Sequence, residues 1–172
     1  ENGLFIDWPL ALYVSEGGGI NAYMGAHTSA DVVDMYAVEV SEDLSEWHIF
    51  DEPVLTAGPE SYDQAGITAA SVVKLGDTFY MFYIGAGGWG DVIGGARESV
   101  SQTLNLATSA TGISWTKHSD NPISVHLTSA KELDGVAAQV VGDTIHLWVT
   151  DNYAEPAETS VRAAVGYYLY TP

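Results

Sequence analysis

The feature of the sequence that most limits its fold is a hairpin pattern that occurs three times. Each copy has an apolar strand, a tight turn that contains glycine, and a second strand rich in aromatic residues. The copies begin near residues 7, 63 and 134, and the turn Gly-Asp-Thr occurs twice, at 76–78 and 142–144. Glycine adopts the backbone angles that such turns require, so each copy predicts an antiparallel β-hairpin.

A second element follows the first two hairpins and predicts another pair of strands. A serine and a tryptophan six positions apart recur at 41–47 and 109–115, and a proline follows each pair. The repeating unit is therefore predicted to be four strands in an up-and-down meander. The third copy has a candidate third strand at 161–170 and lacks the fourth. We expect residues 4–6 to supply that outer strand.

Four-stranded meanders repeated along a chain are typical of the blades of a β-propeller. The predicted innermost strands are short and rich in Ala, Val and Ser, which suits a crowded axis where all blades meet. A β-sandwich also contains many short strands, but the repeated order of turn, aromatic strand and Ser-to-Trp element favours a propeller. The sequence therefore predicts an all-β fold and a single domain over 1–172, with blade repeats at about 7–55, 63–123 and 134–172.

The charge balance restricts the partners of the chain. It has 23 Asp and Glu residues against 5 Lys and Arg residues, for a formal net charge of −18. Nucleic acids and anionic membrane surfaces require a basic face, so neither is predicted as a partner. Cysteine is absent, which excludes disulfides and a thiolate nucleophile. The composition does not fix the compartment, although a secreted or extracellular location is slightly favoured.

The middle repeat resembles a blade of a known family. Its strand 79–86, its segment 106–117 and the pair Asn121-Pro122 are similar to the blade motif of the five-bladed β-propeller glycosidases. These are the arabinanase, β-xylosidase and β-fructosidase relatives in glycoside hydrolase families 43, 32 and 130. The resemblance implies a carbohydrate partner and, for an active enzyme, hydrolysis of furanosides or related glycosides. The alternative is a non-catalytic carbohydrate-binding or self-assembling propeller that has lost the active site.

The resemblance implies five blades, whereas this sequence has about three. A three-bladed arc would expose two sheet faces that normally pack against neighbouring blades, and soluble proteins rarely tolerate large apolar faces. We therefore expect a longer propeller, a ring closed by two chains, or another cap for the arc. A homo-oligomer is the favoured form.

In the glycosidases that the chain resembles, three carboxylates converge on the propeller axis from the starts of innermost strands. The resemblance implies Asp7 as base or nucleophile, Asp63 as the group that raises the pKa of the acid, and Glu132 as general acid. One carboxylic acid would protonate the leaving oxygen while a carboxylate activates water or attacks the sugar. Asp134 competes with Glu132, because the aspartates of the three copies align as repeat equivalents. That alignment also favours a structural role for them.

Aromatic side chains near the predicted axis are candidates for stacking on sugar rings. The candidate substrate-binding residues, including one aspartate, are Trp8, Tyr62, Trp89, Asp134 and Tyr153. Trp89 belongs to a glycine-rich insertion at 87–95, which we expect to be a mobile loop. The predicted core includes Trp47, Trp115 and Trp148. No cofactor is predicted, and His126 is the histidine that the resemblance places near an axial calcium ion.

Overall fold

The computed structural model describes residues 4–14, 19–27, 32–41, 43, 45–93, 96–123, 132–153 and 162–172. Within these ranges it describes the backbone alone at 8, 89–93, 96–101, 132, 134, 151–153 and 162–164. The described residues form eleven β-strands in three antiparallel sheets and no α-helix. Among them there is accordingly no helix of the length and apolar character that a membrane span needs.

The first sheet has its four strands in chain order. They are β1 (Phe5–Val14), β2 (Ile20–His27), β3 (Asp34–Val40) and β4 (Trp47–Ile49). Phe5 lies opposite His27 and Ile6 lies opposite Ala26, so β1 begins within this sheet. The expectation that residues 4–6 form the outer strand of the third copy is therefore wrong, because their backbone is already paired with β2.

The middle sheet also has its four strands in chain order. They are β5 (Gly66–Leu75), β6 (Thr78–Ile93), β7 (Ala96–Ser109) and β8 (Thr116–Lys117). The segment expected to be a mobile loop is instead, up to Ile93, part of a two-stranded arm in which Trp89 lies opposite Ser99. Strand pairing satisfies the backbone N–H and C=O groups of this glycine-rich segment, which a loop would leave to water.

The third sheet has three strands in the described residues, in the order β11-β10-β9. They are β9 (Glu132–Val141), β10 (Thr144–Tyr153) and β11 (Arg162–Tyr170). Its β9–β10 turn and the β5–β6 turn place Gly142 and Gly76 at φ values of 61° and 60°, as the repeated turn predicts. The meanders confirm the predicted all-β propeller-blade fold. The single-domain bounds stay a prediction.

The middle sheet packs against both of its neighbours. Successive residues of a strand point to opposite faces. Met81 and Tyr83 of β6 therefore join the apolar cluster shared with the first sheet, whereas Phe82 and Ile84 join the cluster shared with the third sheet. All four side chains are fully buried. The innermost strands β1, β5 and β9 contact each other in turn, which gives the sheets the arrangement of consecutive blades around an axis.

Candidate functional site

A β-bulge lies at the same position in each innermost strand. Register shifts in the strand pairing leave one extra residue near the start of β1, β5 and β9, and β1 has a second one, Leu10, three positions later. The extra residues at the strand starts are Asp7, Thr68 and Asp134, each seven positions before the last residue of its strand. Bulges re-aim side chains and are common beside active sites. The three bulges therefore define equivalent positions at the end of the sheets where the inner strands begin.

This equivalence corrects the alignment of the repeats. The sequence comparison makes Asp63 the counterpart of Asp7 and Asp134, but the strand register puts Thr68 there. Asp63 lies in the connection between β4 and β5, before the inner strand begins. The middle sheet therefore carries a hydroxyl where the other two sheets carry a carboxylate.

Asp7 is paired with a histidine that the sequence analysis did not assign. Oδ2 of Asp7 lies 2.9 Å from Nδ1 of His27, across the β1–β2 hairpin. An ionised carboxylate can only accept a hydrogen bond, so the imidazole donates from Nδ1. The ring of Phe5 stacks on that imidazole with a centroid distance of 5.4 Å. Both partners of the pair remain partly exposed, so a ligand can reach them.

Glu132 and Asp134 stand at the start of the third innermost strand. Glu132 lies opposite Asn152, and Asp134 is the bulged residue two positions later. By repeat equivalence their backbone lies at the same end of the sheets as that of Asp7. Their side chains are outside the described part of the chain, so the roles implied for them stay predictions.

Asp63 is fully buried, and its partners lie outward along the middle sheet. Its Oδ2 accepts a hydrogen bond from the Tyr83 hydroxyl at 3.0 Å and lies 2.6 Å from Nζ of Lys117 in β8. Its Oδ1 accepts a hydrogen bond from the N–H of Gly58 at 3.1 Å. Protein groups thus hold both oxygens, and Lys117 belongs to the outermost strand. This geometry gives Asp63 a structural role and argues against the expected role beside an axial acid.

The surroundings of Asp63 explain two features of the aromatic strand β6. Burial raises the pKa of Tyr83, and the charge of Asp63 raises it further, so the hydroxyl stays a donor. A Cβ atom at Gly85 would lie 2.6 Å from Cβ of Asp63 and 2.8 Å from the carbonyl oxygen of Tyr62. The glycine that ends the aromatic motif is therefore required for the connection to pack on the sheet.

Tyr62 lies at a different place from Asp7. It lines a surface cavity of about 390 Å³ on the outer part of the middle sheet, together with Glu60, Lys117, His118 and Asn121 among others. Nζ of Lys117 lies 5.8 Å from the centroid of the Tyr62 ring. Burial raises the pKa of Tyr62. A contact between this ring and a sugar stays a prediction.

The other predicted sugar-binding aromatic residues are described by their backbone alone. Trp8 follows the bulge in β1, Trp89 lies in the β6–β7 arm, and Tyr153 ends β10. Two tryptophans assigned to the core are instead exposed, Trp47 by 57% and Trp148 by 37%. Each lies on a terminal sheet, where no described sheet covers it. Trp115 is partly buried against the first apolar cluster, as expected for a core residue.

The sequence contained signals for the two partners that were missed. For Asp63 the signal is Lys117, which belongs to the blade motif. The chain has 5 Lys and Arg residues against 23 Asp and Glu residues, so an ion pair with a carboxylate is expected for each cation. His27 ends the strand that pairs with the start of β1, which the hairpin register makes a neighbour of Asp7. No group of three or more metal-ligating side chains occurs in the described ranges, and His126 lies outside them.

The fold resembles solved structures of glycoside hydrolases. A sucrose-6-phosphate hydrolase from Lactobacillus gasseri is 14% identical over 96% of this chain and 32% of its own, with a TM-score of 0.70. A family 117 glycoside hydrolase from Zobellia galactanivorans is 15% identical over 98% and 52%, with a TM-score of 0.64. A family 32 β-fructofuranosidase from Bombyx mori is 15% identical over 95% and 32%, with a TM-score of 0.63. No protein-family model and no curated protein sequence matches the chain.

At sequence identities of 14–15%, the similarity to these solved structures shows only that the fold is shared. The chain spans 32% of the solved chains from Lactobacillus and Bombyx and 52% of the one from Zobellia. The predicted resemblance to the propeller glycosidases is confirmed at this level. The class that the fold defines is a set of consecutive β-propeller blades, and these blades are similar in fold to those of glycoside hydrolases.

Proposed function

We propose that this chain is a carbohydrate-active propeller that hydrolyses a furanoside or a related glycoside at the end where its innermost strands begin. The observation that carries the proposal is the bulged position of Asp7, held by His27 at 2.9 Å and partly open to solvent. The equivalent bulge in β9 brings Asp134, with Glu132 two residues before it, to the same end of the third sheet. The fold shared with glycoside hydrolases supports this assignment.

The proposed chemistry uses two carboxyl groups on different blades. Asp7 acts as base or nucleophile, and His27 orients it by donating from Nδ1. Glu132 acts as the general acid that protonates the leaving oxygen. Asp63 is left out of this chemistry because protein groups hold both of its oxygens.

The test is a screen of aryl furanosides and pyranosides. Variants of the chain are then assayed on the glycoside that the wild type hydrolyses fastest. Asp7→Asn should reduce kcat/KM by about 10²–10⁴-fold, the usual contribution of a positioned base. Glu132→Gln should cause a similar loss on sugars with poor leaving groups and a smaller loss on activated aryl glycosides. The matched control is Asp143→Asn, which changes an exposed aspartate in the turn at the other end of the third sheet.

The outcomes separate the alternatives. Turnover that Asp7→Asn leaves intact would show that the assigned base is wrong. Binding of a furanoside by calorimetry, without turnover by the wild type, would support the non-catalytic carbohydrate-binding alternative. Neither binding nor turnover across the screen would exclude both forms of the proposal.

A further inference from the structure

An exposed aromatic ring lies beside Asp7 and takes no part in the chemistry proposed above. Phe5 is 62% exposed, although it is a large apolar residue of strand β1. One face of its ring covers the imidazole of His27, with the ring centroids 5.4 Å apart and the two planes inclined by 18°. That imidazole binds Oδ2 of Asp7 at 2.9 Å. The exposed area of Phe5 therefore belongs to the opposite face of the ring and to its edge.

The strand register places Phe5 on the side of the first sheet that faces the middle sheet. Residues at even spacing in a strand share a face, so His27 lies on the same face of β2 as Tyr23. Tyr23 is fully buried in the apolar cluster that the first and middle sheets share. Phe5 lies opposite His27 and stacks on it, so its ring stands on this inward side, near the start of β1. A further blade packed on the outer face of the first sheet would not cover the ring.

We propose that Phe5 is a substrate-binding residue whose open face stacks on a sugar ring. A sugar presents C–H groups on one face of its ring, and the negative face of an aromatic ring attracts them. Sites for small ligands combine such an apolar surface with a few polar groups that fix orientation, and Asp7 and His27 are the polar groups here. This role rests on the proposed function, because it requires that Asp7 acts on a glycoside.

The order of the stack decides which part of the substrate Phe5 contacts. The Phe5 and His27 rings stand 5.4 Å apart, and a sugar on the open face adds a similar distance, which places its centre about 10 Å from the imidazole. The sugar that Asp7 attacks must instead come within about 3–3.5 Å of the carboxylate, which itself lies 2.9 Å from the imidazole. The stacked sugar is therefore a different unit, next to the attacked one. The substrate has at least two sugar units.

The test is titration calorimetry with three pairs of sugars: arabinose and arabinobiose, xylose and xylobiose, and fructose and sucrose. Where the wild type hydrolyses a disaccharide, Asp7→Asn serves as the parent, since asparagine keeps an oxygen for His27. At least one disaccharide should bind more tightly than its monosaccharide. Phe5→Leu keeps an apolar side chain over His27 and removes the flat ring. It should raise the Kd of that disaccharide by about fivefold to tenfold and leave the Kd of the monosaccharide unchanged.

Two further variants control for the loss of apolar surface. Phe5→Tyr keeps the ring and should bind the disaccharide as the parent does. Ile6→Ala removes a neighbouring side chain that is 50% exposed and lies on the opposite face of β1, so it should change neither Kd. Circular dichroism and thermal unfolding verify that each variant folds.

Each result decides the proposal. A disaccharide that binds Phe5→Leu as tightly as the parent overturns the stacking alone, and turnover that persists leaves the proposed function standing. An equal loss of affinity for the disaccharide and the monosaccharide also overturns it, because Phe5 would then act only by holding His27. Absence of binding to all the sugars overturns the stacking and the proposed function together. A loss confined to the disaccharide in Phe5→Leu, restored in Phe5→Tyr and absent in Ile6→Ala, supports the role of Phe5.

Discussion

Lys117 and Asp63 form a buried ion pair: Nζ of Lys117 lies 2.6 Å from Oδ2 of Asp63, whose side chain is fully buried. Nζ also donates a hydrogen bond to the carbonyl oxygen of Gly58 at 2.7 Å. The pair thus ties the outermost strand of the middle sheet to the connection that enters the sheet from β4. Removing one charge of such a pair is costly, because the other stays buried without compensation.

Lys117→Met should lower the free energy of unfolding by about 3–5 kcal/mol, the usual cost of an uncompensated buried charge. Urea unfolding followed by tryptophan fluorescence measures this change. The matched control is Lys74→Met, which removes an exposed lysine whose cation–π contact with Phe79 is worth about 0.5–1 kcal/mol. Equal midpoints for the two variants would show that the buried pair does not stabilise the sheet.

Gly85→Ala should destabilise the fold by about 1–3 kcal/mol, the range for overpacking a close-packed interior. The added methyl group would lie 2.6 Å from Cβ of Asp63 and 2.8 Å from the backbone carbonyl oxygen of Tyr62, and neither atom can move as freely as the end of a flexible side chain. The control is Gly135→Ala, where the nearest atom would be 3.8 Å away. Thermal unfolding of both variants provides the comparison, and a Gly85→Ala variant as stable as Gly135→Ala would contradict the packing argument.

Asn121→Ala should cost about 1–3 kcal/mol, because it leaves the buried N–H of Leu106 without a partner, although the Leu106 carbonyl oxygen still accepts from the N–H of His118. The Asn121 side chain accepts a hydrogen bond from the N–H of Leu106 at 2.8 Å and donates one to its carbonyl oxygen at 2.9 Å. The amide therefore substitutes for a neighbouring strand where β8 has ended. The control is Ser119→Ala in the same loop, whose hydroxyl bonds only an exposed aspartate in the described contacts. Chemical denaturation that fails to separate the two variants would refute this role.

Asp34→Asn should stabilise the protein at pH 7 and make no difference near pH 3. Burial raises the pKa of Asp34 above the ordinary 3.8, against the lowering effects of the Ala57 N–H and the Lys117 charge. The folded state therefore disfavours the carboxylate, and the penalty is present above the folded pKa and lost as pH falls below 3.8. Asparagine keeps an oxygen for the Ala57 N–H, which Asp34 binds at 2.7 Å.

Urea midpoints at the two pH values measure this effect of Asp34→Asn. Asp77→Asn, in an exposed turn, is the control and should show no gain at pH 7. A gain from Asp34→Asn that persists unchanged at low pH would mean that the charge is not its cause.

The sequence predicts the sheets well because hairpins are local. The Gly-Asp-Thr turns and the alternating aromatic strands fix which strands pair, and the structure has those pairs. The bulges were not predictable, since one extra residue changes the register without changing the apolar pattern. For this reason the sequence pattern aligns Asp63 with Asp7, whereas the strand register aligns Thr68 with it.

The exposure of apolar side chains on the terminal sheets could not be predicted from the sequence either. Trp148 occupies an apolar position that is equivalent to the buried Phe82, so the two residues look alike in the repeat. Their difference depends on a neighbouring sheet, which is a property of the assembly. The partner of Asp7 was missed for a related reason, because His27 is close to it only in the correct register.

The cover on both faces of the middle sheet has a consequence for the dynamics of the chain. Amide hydrogens exchange with solvent when a segment opens, and segments with the most buried apolar contacts open last. The amides of Met81 to Ile84 should therefore exchange most slowly, at a rate set by global unfolding, whereas those of β1 and β11 should exchange earlier through local opening. Hydrogen–deuterium exchange would thus show a persistent middle blade between two that fray.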